Sequence, residues 1–360
     1  MRVLQIVADG KPGGGTTHVL QILKGLRHAV SFHLIAEKDS YLLREAEALG
    51  VTCHGLRFFI SRFNPTLPLQ LRKIALHVQP DLIHIHGGRA GFFFAFSLLT
   101  IPTVYTIHGF HFAEKPPILR RLATLAERLV FRRSSRVIFV SRYDLTLAAN
   151  CKLLGVNDSP AVIYPGISLN DLSQTAPYSS RHIGFIGRLE YQKDPLLFLE
   201  TMAYLPDYTA TIVGSGSLAS IVKQEIAKRG LGERVHMVGE FSHGEVLKIL
   251  STLNAVVLTS RWEGMPILVL ESMGMGVPII SMNVCGLGEI IQNGVNGMLV
   301  DRRRGEDLAE KVEMIMKNEH LKASLVKNAK ETIQEKFSIE KMLSSTLKLY
   351  KEIVTSKAGS

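Results

Sequence analysis

Arg261-Trp262-Glu263-Gly264-Met265-Pro266-Ile267-Leu268-Val269-Leu270-Glu271-Ser272 sets two glutamates eight positions apart across an apolar run. Glu271 is therefore carried on a largely buried element. A carboxylate there needs a partner, because an unpaired buried charge is costly. Eight residues is a little over two helical turns. Pro266, with its fixed φ and missing N–H, suits the start of a helix. Glu263 then lies just before that helix and Glu271 one to two turns into it. Both carboxylates could line one cleft at the helix N-terminus, where backbone amides and the dipole favour a phosphate. One could accept hydrogen bonds from a sugar and the other from a ribose.

Short apolar, β-branched runs alternate with helical patterns on both sides of this stretch. Strands are expected at residues 3–8, 31–36, 82–86, 103–107 and 136–140. Helices are expected at 18–26, 41–49 and 69–77, with a basic helix between the last two strands. Residues 155–180 are rich in Pro, Asn, Asp, Ser and Gly, which is linker chemistry. Alternation then restarts, with strands at 183–186, 208–213, 235–238, 255–258 and 278–280. Helices are expected at 195–203, 218–228, 243–251, 267–274 and 305–317, and a last one at 339–353. Such alternation predicts doubly wound parallel sheets. Two successive units imply two Rossmann-like domains facing an interdomain cleft, since parallel sheets place ligands at the carboxyl ends of their strands. The expected domains are residues 1–170 and 171–336, with residues 337–360 a separate terminal helix.

Several constellations fall at expected strand ends. Gly13-Gly14-Gly15 follows the first strand and would let backbone amides approach a phosphate or sugar. Position 18 is His, so the stretch is not a dinucleotide fingerprint. His84 and His86 alternate with isoleucines; His84 reads as structural, and His86 lies nearer the strand end. His108-Gly109-Phe110-His111 follows another strand, so His108 should face the cleft, where an imidazole can hydrogen-bond a sugar hydroxyl. His111 could serve the acceptor or pack the loop. A metal site from these four histidines lacks any acidic or cysteine ligand at a recognisable spacing. Gly187-Arg188 and Lys193 sit in a loop before a helix. Together Arg188 and Lys193 could clamp two adjacent phosphates and stabilise a departing nucleoside diphosphate.

The Glu263–Glu271 stretch resembles the E-x7-E motif of family 4 retaining glycosyltransferases of the GT-B fold. The Glu-Gly-Met-Pro start and the downstream Gly276-Val277-Pro278-Ile279-Ile280 strengthen the resemblance, and His108 to His111 is similar to the His-Gly-x-His of bacterial glycan transferases. Gly187-Arg188-Leu189 with Lys193 is similar to the family's Gly-Arg-Leu…Lys motif. Tyr164-Pro165-Gly166 departs from the usual Pro-Asn-Gly. The resemblance runs over nearly the whole chain. It implies His108, Arg188, Lys193 and Glu263 as catalytic. It implies a donor site from Gly14, Gly15, Gly187, Gly214, Gly216, Glu240, Phe241, Gly264, Met265, Pro266, Ile267, Leu268 and Glu271. It also implies that the terminal helix returns to the first domain. The reaction implied is hexosyl or N-acetylhexosaminyl transfer from a nucleoside-diphosphate sugar, UDP-sugar favoured, to a glycan or polyprenyl-linked acceptor in bacterial surface polysaccharide assembly. Configuration would be retained by a front-face mechanism in which the leaving phosphate takes the acceptor proton. No D-x-D occurs in the chain, so no divalent metal and no other cofactor is expected, Arg188 and Lys193 taking the metal's place. The alternatives are a catalytically silent sugar-nucleotide-binding partner of another transferase, a nucleotide-sugar epimerase of the same fold, or a glycosyl phosphorylase. The epimerase would need further catalytic acids, and the phosphorylase a cofactor lysine.

Composition limits the remaining classes. A length of 360 residues suits two domains, and three scattered cysteines suit a reducing compartment. The longest apolar stretch, residues 91–101, is too short to span a bilayer. The net charge of +10 is uneven: residues 1–175 carry 20 Lys+Arg against 11 Asp+Glu, and residues 176–360 carry 22 against 21. The densest part holds Arg120, Arg121, Arg128, Arg132, Arg133 and Arg136. It reads either as a solvated helix face or as a patch drawn to an anionic membrane or a lipid-linked phosphate. On either reading the helix's apolar residues are expected to face its own core. No stacking aromatics interleave these arginines, so nucleic acid is not the expected partner. The expected location is cytoplasmic, peripheral at the inner face of the plasma membrane.

Overall fold

The computed structural model describes residues 1–60, 64–110, 116–155, 159–172 and 181–358. Two compact units divide the chain, residues 1–165 with 339–360, and residues 166–338.

In the first unit the elements run β1 (Arg2–Val7), α1 (Gly14–Leu26), β2 (Ser31–Glu37), α2 (Tyr41–Ala48), β3 (Thr52–Leu56), α3 (Leu67–Val78) and β4 (Leu82–His86). They continue with α4 (Gly88–Ala95), β5 (Thr103–Ile107), α5 (Pro117–Arg133), β6 (Arg136–Phe139), α6 (Arg142–Asn150) and β7 (Ala161–Val162). The seven strands form one sheet, ordered β3-β2-β1-β4-β5-β6-β7, and every pairing is parallel. Strand order reverses between β1 and β4, so the loops after those strands diverge at a switch point. β1 shows why the sheet is buried on both faces. Leu4 and Ile6 enter one core cluster, while Val3 and Val7 enter the other, as a period of two requires.

The second unit runs β8 (His182–Ile186), α7 (Pro195–Ala203), β9 (Thr209–Val213), α8 (Ala219–Lys228), β10 (Val235–Gly239), α9 (His243–Leu250) and β11 (Ala255–Leu258). After these come α10 (Ile267–Met275), β12 (Ile279–Met282), α11 (Leu287–Ile290), β13 (Met298–Val300), α12 (Gly305–Lys317) and α13 (Glu319–Lys336). Its six parallel strands are ordered β10-β9-β8-β11-β12-β13, and the switch point lies between β8 and β11.

The final helix, α14 (Ile339–Ala358), belongs to the first unit. Met342, Leu349, Tyr350 and Ile353 join the core cluster that also holds Val19, Ile22 and Leu23 of α1. The two helices approach closely at Gly25, where an added Cβ would lie 2.2 Å from Leu343 Cδ1.

Several elements carry no clear sequence signal. β3 is an edge strand of mixed polarity, Thr-Cys-His-Gly-Leu, and α4 sits inside the long apolar run. The linker-like stretch contains β7, a two-residue strand completing the sheet edge beside β6. Its positions 156–158 and 173–180 lie outside the described residues.

Only some of the apolar residues of α5 face the core as expected. Its second half is attached: Val130 and Phe131 are buried, and the Tyr105 hydroxyl donates to Glu127 Oε2 at 2.9 Å. In its first half Ile118 is 75% exposed, Leu122 59% and Leu125 57%. Ala123 also packs against the core, so the exposed apolar residues form a separate outer face of the same turns.

Candidate active site

The loops after β8 and β11 leave the sheet of the second unit at its switch point, and they are laced together. Lys193 Nζ donates to Glu263 Oε1 at 2.5 Å, and Ser260 Oγ donates to the same oxygen at 2.5 Å. Glu263 is 8% exposed, so this pairing meets the demand that a buried carboxylate makes. Arg188 donates to Gln192 Oε1 at 2.9 Å, and Gln192 Nε2 donates in turn to the Trp262 carbonyl at 3.0 Å. Thr259 Oγ1 donates to the Lys193 and Asp194 carbonyls, each at 2.8 Å. Asp194, held in the left-handed region at φ 47°, pairs through Oδ2 with Arg261 and Arg303, each at 2.7 Å. Arg303 also donates to the Ser260 and Thr259 carbonyls at 3.0 and 2.5 Å. Both loops are thus fixed by charge-assisted bonds to backbone and carboxylate, the strong kind.

Glycine is obligatory in the neighbouring turn. A Cβ on Gly214 would lie 2.0 Å from the Gly187 carbonyl oxygen, and one on Gly216 would lie 2.4 Å from that of Leu189. The β9 loop thereby packs backbone to backbone on the Gly187–Leu189 segment. Glu190 accepts from the Ser217 amide at 2.8 Å and its hydroxyl at 2.6 Å. Those two bonds hold the Glu190 carboxyl below its usual range. Ser215 donates to Glu240, which carries the chain of contacts on to the β10 loop. Phe241 follows Glu240 and is half-buried.

α10 starts after Pro266, its N-cap, with Gly264 and Met265 buried just before it and Ile267 and Leu268 as its first residues. Glu263 lies outside the helix and Glu271 in its second turn. Glu271 is 4% exposed, and His243 Nε2 lies 2.6 Å from its Oε1. That hydrogen bond and the carboxylate's charge raise the His243 pKa against the opposing effect of burial. Ser242 and Glu245 form a capping box that fixes the start of α9, and with it His243.

In the first unit a buried polar stripe crosses three strands. Register places Gln5 beside His84 and His86 beside Thr106. Tyr350 from α14 closes the stripe: its hydroxyl lies 2.5 Å from His84 Nδ1 and accepts from Gln5 Nε2 at 3.1 Å. His84 Nε2 meets Thr106 Oγ1 at 2.7 Å, and His86 Nε2 meets Gln5 Oε1 at 2.7 Å. His86 Nδ1 lies 3.1 Å from His108 Nε2. The His18 ring stands edge-on to His108, with centroids 5.1 Å apart. Burial first, then repulsion from neighbouring imidazoles, depresses the pKa of His18, His84 and His86; His84 falls to about 3. His108 itself is half-buried, and the loop after it is held by Asp144 Oδ1, which accepts from the Phe110 amide at 3.2 Å.

Of the residues singled out by sequence, the structure brings Gly187, Arg188, Lys193, Gly214, Gly216, Glu240 and Glu263 into one laced group. Glu271 is joined to His243 instead. Gly14 and Gly15 open α1 in the other unit, and a Cβ on Gly15 would meet nothing within 4 Å, so packing does not demand glycine there. Arg120 and Arg121 are exposed on α5. Arg128 reaches the Cys151 and Lys152 carbonyls, each at 3.3 Å. His111 lies outside the described residues. Sequence reasoning passed over Asp194, Arg261, Arg303 and His243, whose partners are distant in the chain. It also passed over Gln5, His18 and Tyr350. For Gln5 the available signal was a polar residue at a period-two position in an otherwise apolar strand; His18 and Tyr350 lie on helices, where that signal does not exist. Among the described residues no group of histidine, cysteine or acidic side chains could hold a metal ion.

Two Rossmann-like parallel-sheet units, with basic and acidic side chains laced at a switch point, define the GT-B class of glycosyltransferases. Residues 12–171 match the Glycosyltransferase Family 4 profile, and residues 173–332 match Glycosyl transferases group 1. The chain belongs to the family 4 glycosyltransferases. An uncharacterized glycosyltransferase of Methanocaldococcus jannaschii is 28% identical over 354 residues, 95% of each chain. A UDP-Gal:alpha-D-GlcNAc-diphosphoundecaprenol alpha-1,3-galactosyltransferase of Escherichia coli is 26% identical, covering 80% of each. Among solved structures, Anabaena HepE in complex with UDP and glucose superposes with a TM-score of 0.85 at 21% identity, covering 97% of this chain and 99% of that one. The chain is thus a glycosyltransferase related to enzymes of lipid-linked glycan assembly.

Proposed function

We propose that the chain is a retaining, metal-independent glycosyltransferase that moves a hexosyl or N-acetylhexosaminyl group from a UDP-sugar to a lipid-linked glycan. The observation that carries this reading is the Lys193–Glu263 pair laced to Arg188 at the switch point of the second unit. An ammonium has three donors, and Lys193 gives one to Glu263, leaving two for phosphate oxygens. Arg188 adds a guanidinium fork for the same diphosphate. As the C1–O bond of the donor breaks, its electron pair leaves on the β-phosphate oxygen, where these two cations stabilise it. The acceptor oxygen bonds to C1 from the same face, and its proton passes to the departing phosphate. Glu263 orients the sugar. Glu271, fixed through one oxygen by His243, presents the other to the ribose. His108 in the first unit hydrogen-bonds substrate.

The relatives support the chemistry by analogy: the Escherichia coli enzyme is named for a UDP-sugar and a diphosphoundecaprenol acceptor, and HepE was crystallised with UDP and glucose. For the acceptor side, we read the exposed first half of α5 as a membrane-facing surface. It carries Ile118, Leu122 and Leu125 beside Arg120 and Arg121, the mixture of apolar and basic groups that interfacial helices use. Among the described residues no helix is long and apolar enough to cross a membrane. The test is a donor panel of UDP-, GDP- and dTDP-sugars with a polyprenyl-diphosphate-linked sugar as acceptor, and the anomeric configuration of the product read by NMR coupling. Transfer from a UDP-sugar with retained configuration is expected. An inverted product, or transfer confined to another nucleotide, refutes the reading.

A further inference from the structure

The stripe of imidazoles in the first unit has a defined polarity. The Gln5 amide nitrogen donates to the Tyr350 hydroxyl, so the Gln5 carbonyl oxygen faces His86. An oxygen there accepts, so His86 carries its proton on Nε2. Its Nδ1 then holds a lone pair, and the contact at 3.1 Å requires that His108 donate from Nε2. The other branch takes its direction from the same Gln5 amide. Tyr350 accepts from Gln5 and donates to His84 Nδ1, and His84 then donates from Nε2 to Thr106 Oγ1. Side chains from β1, β4 and α14 thus present an acceptor, His86 Nδ1, to His108 Nε2. If the Gln5 amide were turned over, every bond in both branches would have to reverse.

Burying three imidazoles is unfavourable compared with the apolar residues that fill the rest of this face, Val3, Val7, Leu82 and Val104. An imidazole offers what those residues cannot: a donor and an acceptor on opposite sides of a rigid ring. A chain of such rings carries an orientation from one end to the other. Among the described residues His18, His84, His86, His108 and Tyr350 are the titratable groups in or beside it, and no carboxylate or cation contributes to the depressed pKa values of the three buried histidines. The three buried imidazoles therefore stay neutral through the physiological range. The chain of rings ends at the residue that opens the loop after β5, the position read above as a substrate contact.

We propose that His86 is the positioning residue for His108: held by Gln5 and Tyr350, it accepts the His108 Nε2 proton and so fixes both the tautomer and the ring plane of His108. The functional part of this proposal rests on the reading of His108 as a substrate contact. The tautomer part does not. The C-terminal helix thereby acquires a second role besides packing, because its Tyr350 hydroxyl holds the Gln5 amide and joins it to His84.

The experiment uses the full-length protein with ¹⁵N-labelled histidine and two-bond ¹H–¹⁵N correlation spectra at pH 7.5. Wild type should show His86 and His108 as single Nε2–H tautomers, each assigned by substitution. Gln5→Leu removes the acceptor of the His86 Nε2 proton and should shift His86 towards Nδ1–H. His108, which it does not touch, should then lose its single tautomer as well. Tyr350→Phe, a milder change, should give mixed tautomers at His84 and His86. A wild-type His108 protonated on Nδ1, or a His108 unchanged in both variants, overturns the proposal whatever the substrate proves to be. For function, His86→Leu should lower kcat by about 10- to 100-fold, the cost of a misplaced contact, with the donor KM little changed. His86→Asn, whose amide oxygen can replace Nδ1 as acceptor, should restore most of that loss. Equal defects in the two variants would reduce His86 to a packing residue. If the spectra behave as expected but His108→Ala turns over normally, the positioning stands and the reading of His108 fails.

Discussion

Acidification should destabilise the first unit before most carboxylates titrate, because His18, His84 and His86 are buried in neutral form. Their folded pKa values lie far below the ordinary 6.5, with His84 at about 3. Above pH 6.5 the histidines are neutral in both states and contribute no pH dependence. Below it the unfolded chain takes up protons that the folded chain refuses, so stability is lost as pH falls. Each such proton gives a slope of about 1.4 kcal/mol per pH unit. At pH 5.5, one unit below the unfolded value, each histidine costs about 1.4 kcal/mol and the three together about 4 kcal/mol. That is a large share of the ~5–15 kcal/mol that stabilises a typical domain. His33 and His54, also depressed but only partly buried, add in the same direction. The assay is native-state hydrogen exchange of the β4 and β5 amides at pH 7.5, 6.5 and 5.5, corrected for intrinsic rates. His84→Asn should reduce the acid slope by one proton's worth, whatever it does to stability at pH 7.5. Trp262, the sole tryptophan, lies in the second unit, so its fluorescence in denaturant provides an internal comparison. There the raised pKa of His243 acts with the opposite sign, its stabilisation present at low pH and lost as pH rises, against a lowered His182. Exchange free energies in β4 that stay within about 1 kcal/mol between pH 7.5 and 5.5 would refute the argument, since even one proton of difference exceeds that.

Other expectations concern the reaction and the membrane. Arg188→Ala and Lys193→Ala should each lose roughly 2–4 kcal/mol of transition-state stabilisation in kcat/KM, and near-normal turnover in the double variant would remove both from the diphosphate site. Lys193→Ala should also lower the Tm of the second unit, because it leaves the Glu263 carboxylate buried without its cation. Initial rates in EDTA should match those with added magnesium or manganese; complete loss in EDTA, restored by one ion, counts against a metal-independent mechanism. Binding to anionic vesicles should weaken steeply with salt and drop in Arg120→Glu/Arg121→Glu, each arginine contributing about 1 kcal/mol near the surface. It should drop again in Leu122→Ser/Leu125→Ser, whose side chains lie outside the core; unchanged binding in both would leave α5 a solvated face.

The sequence by itself determined the class of fold and the type of chemistry. Alternating β-branched runs and amphipathic stretches give parallel β-α units through local periodicity alone. Pro266 marks the start of α10 because a missing N–H is tolerated there, and Glu263 and Glu271 follow from counting. Contacts between residues distant in the chain needed the tertiary structure. Asp194 became legible as the anchor of two arginines only once β8 and β11 were neighbours, since Arg261 and Arg303 come from different parts of the chain. Glu271 was expected to need a partner, but only the tertiary structure, which brings the first residue of α9 to it, decided that the partner is His243. Leu122 and Leu125 fit a core-facing stripe by periodicity; tertiary geometry leaves them 59% and 57% exposed, while Ala123 between them packs inward. The histidine chain is the clearest case. Gln5, His84 and His86 sit on two strands and His108 follows a third, with a register that no local pattern specifies, and Tyr350 is supplied by a helix 242 residues beyond His108. Hydrogen-bond direction is a property of that assembled set, so no single stretch of sequence contains it.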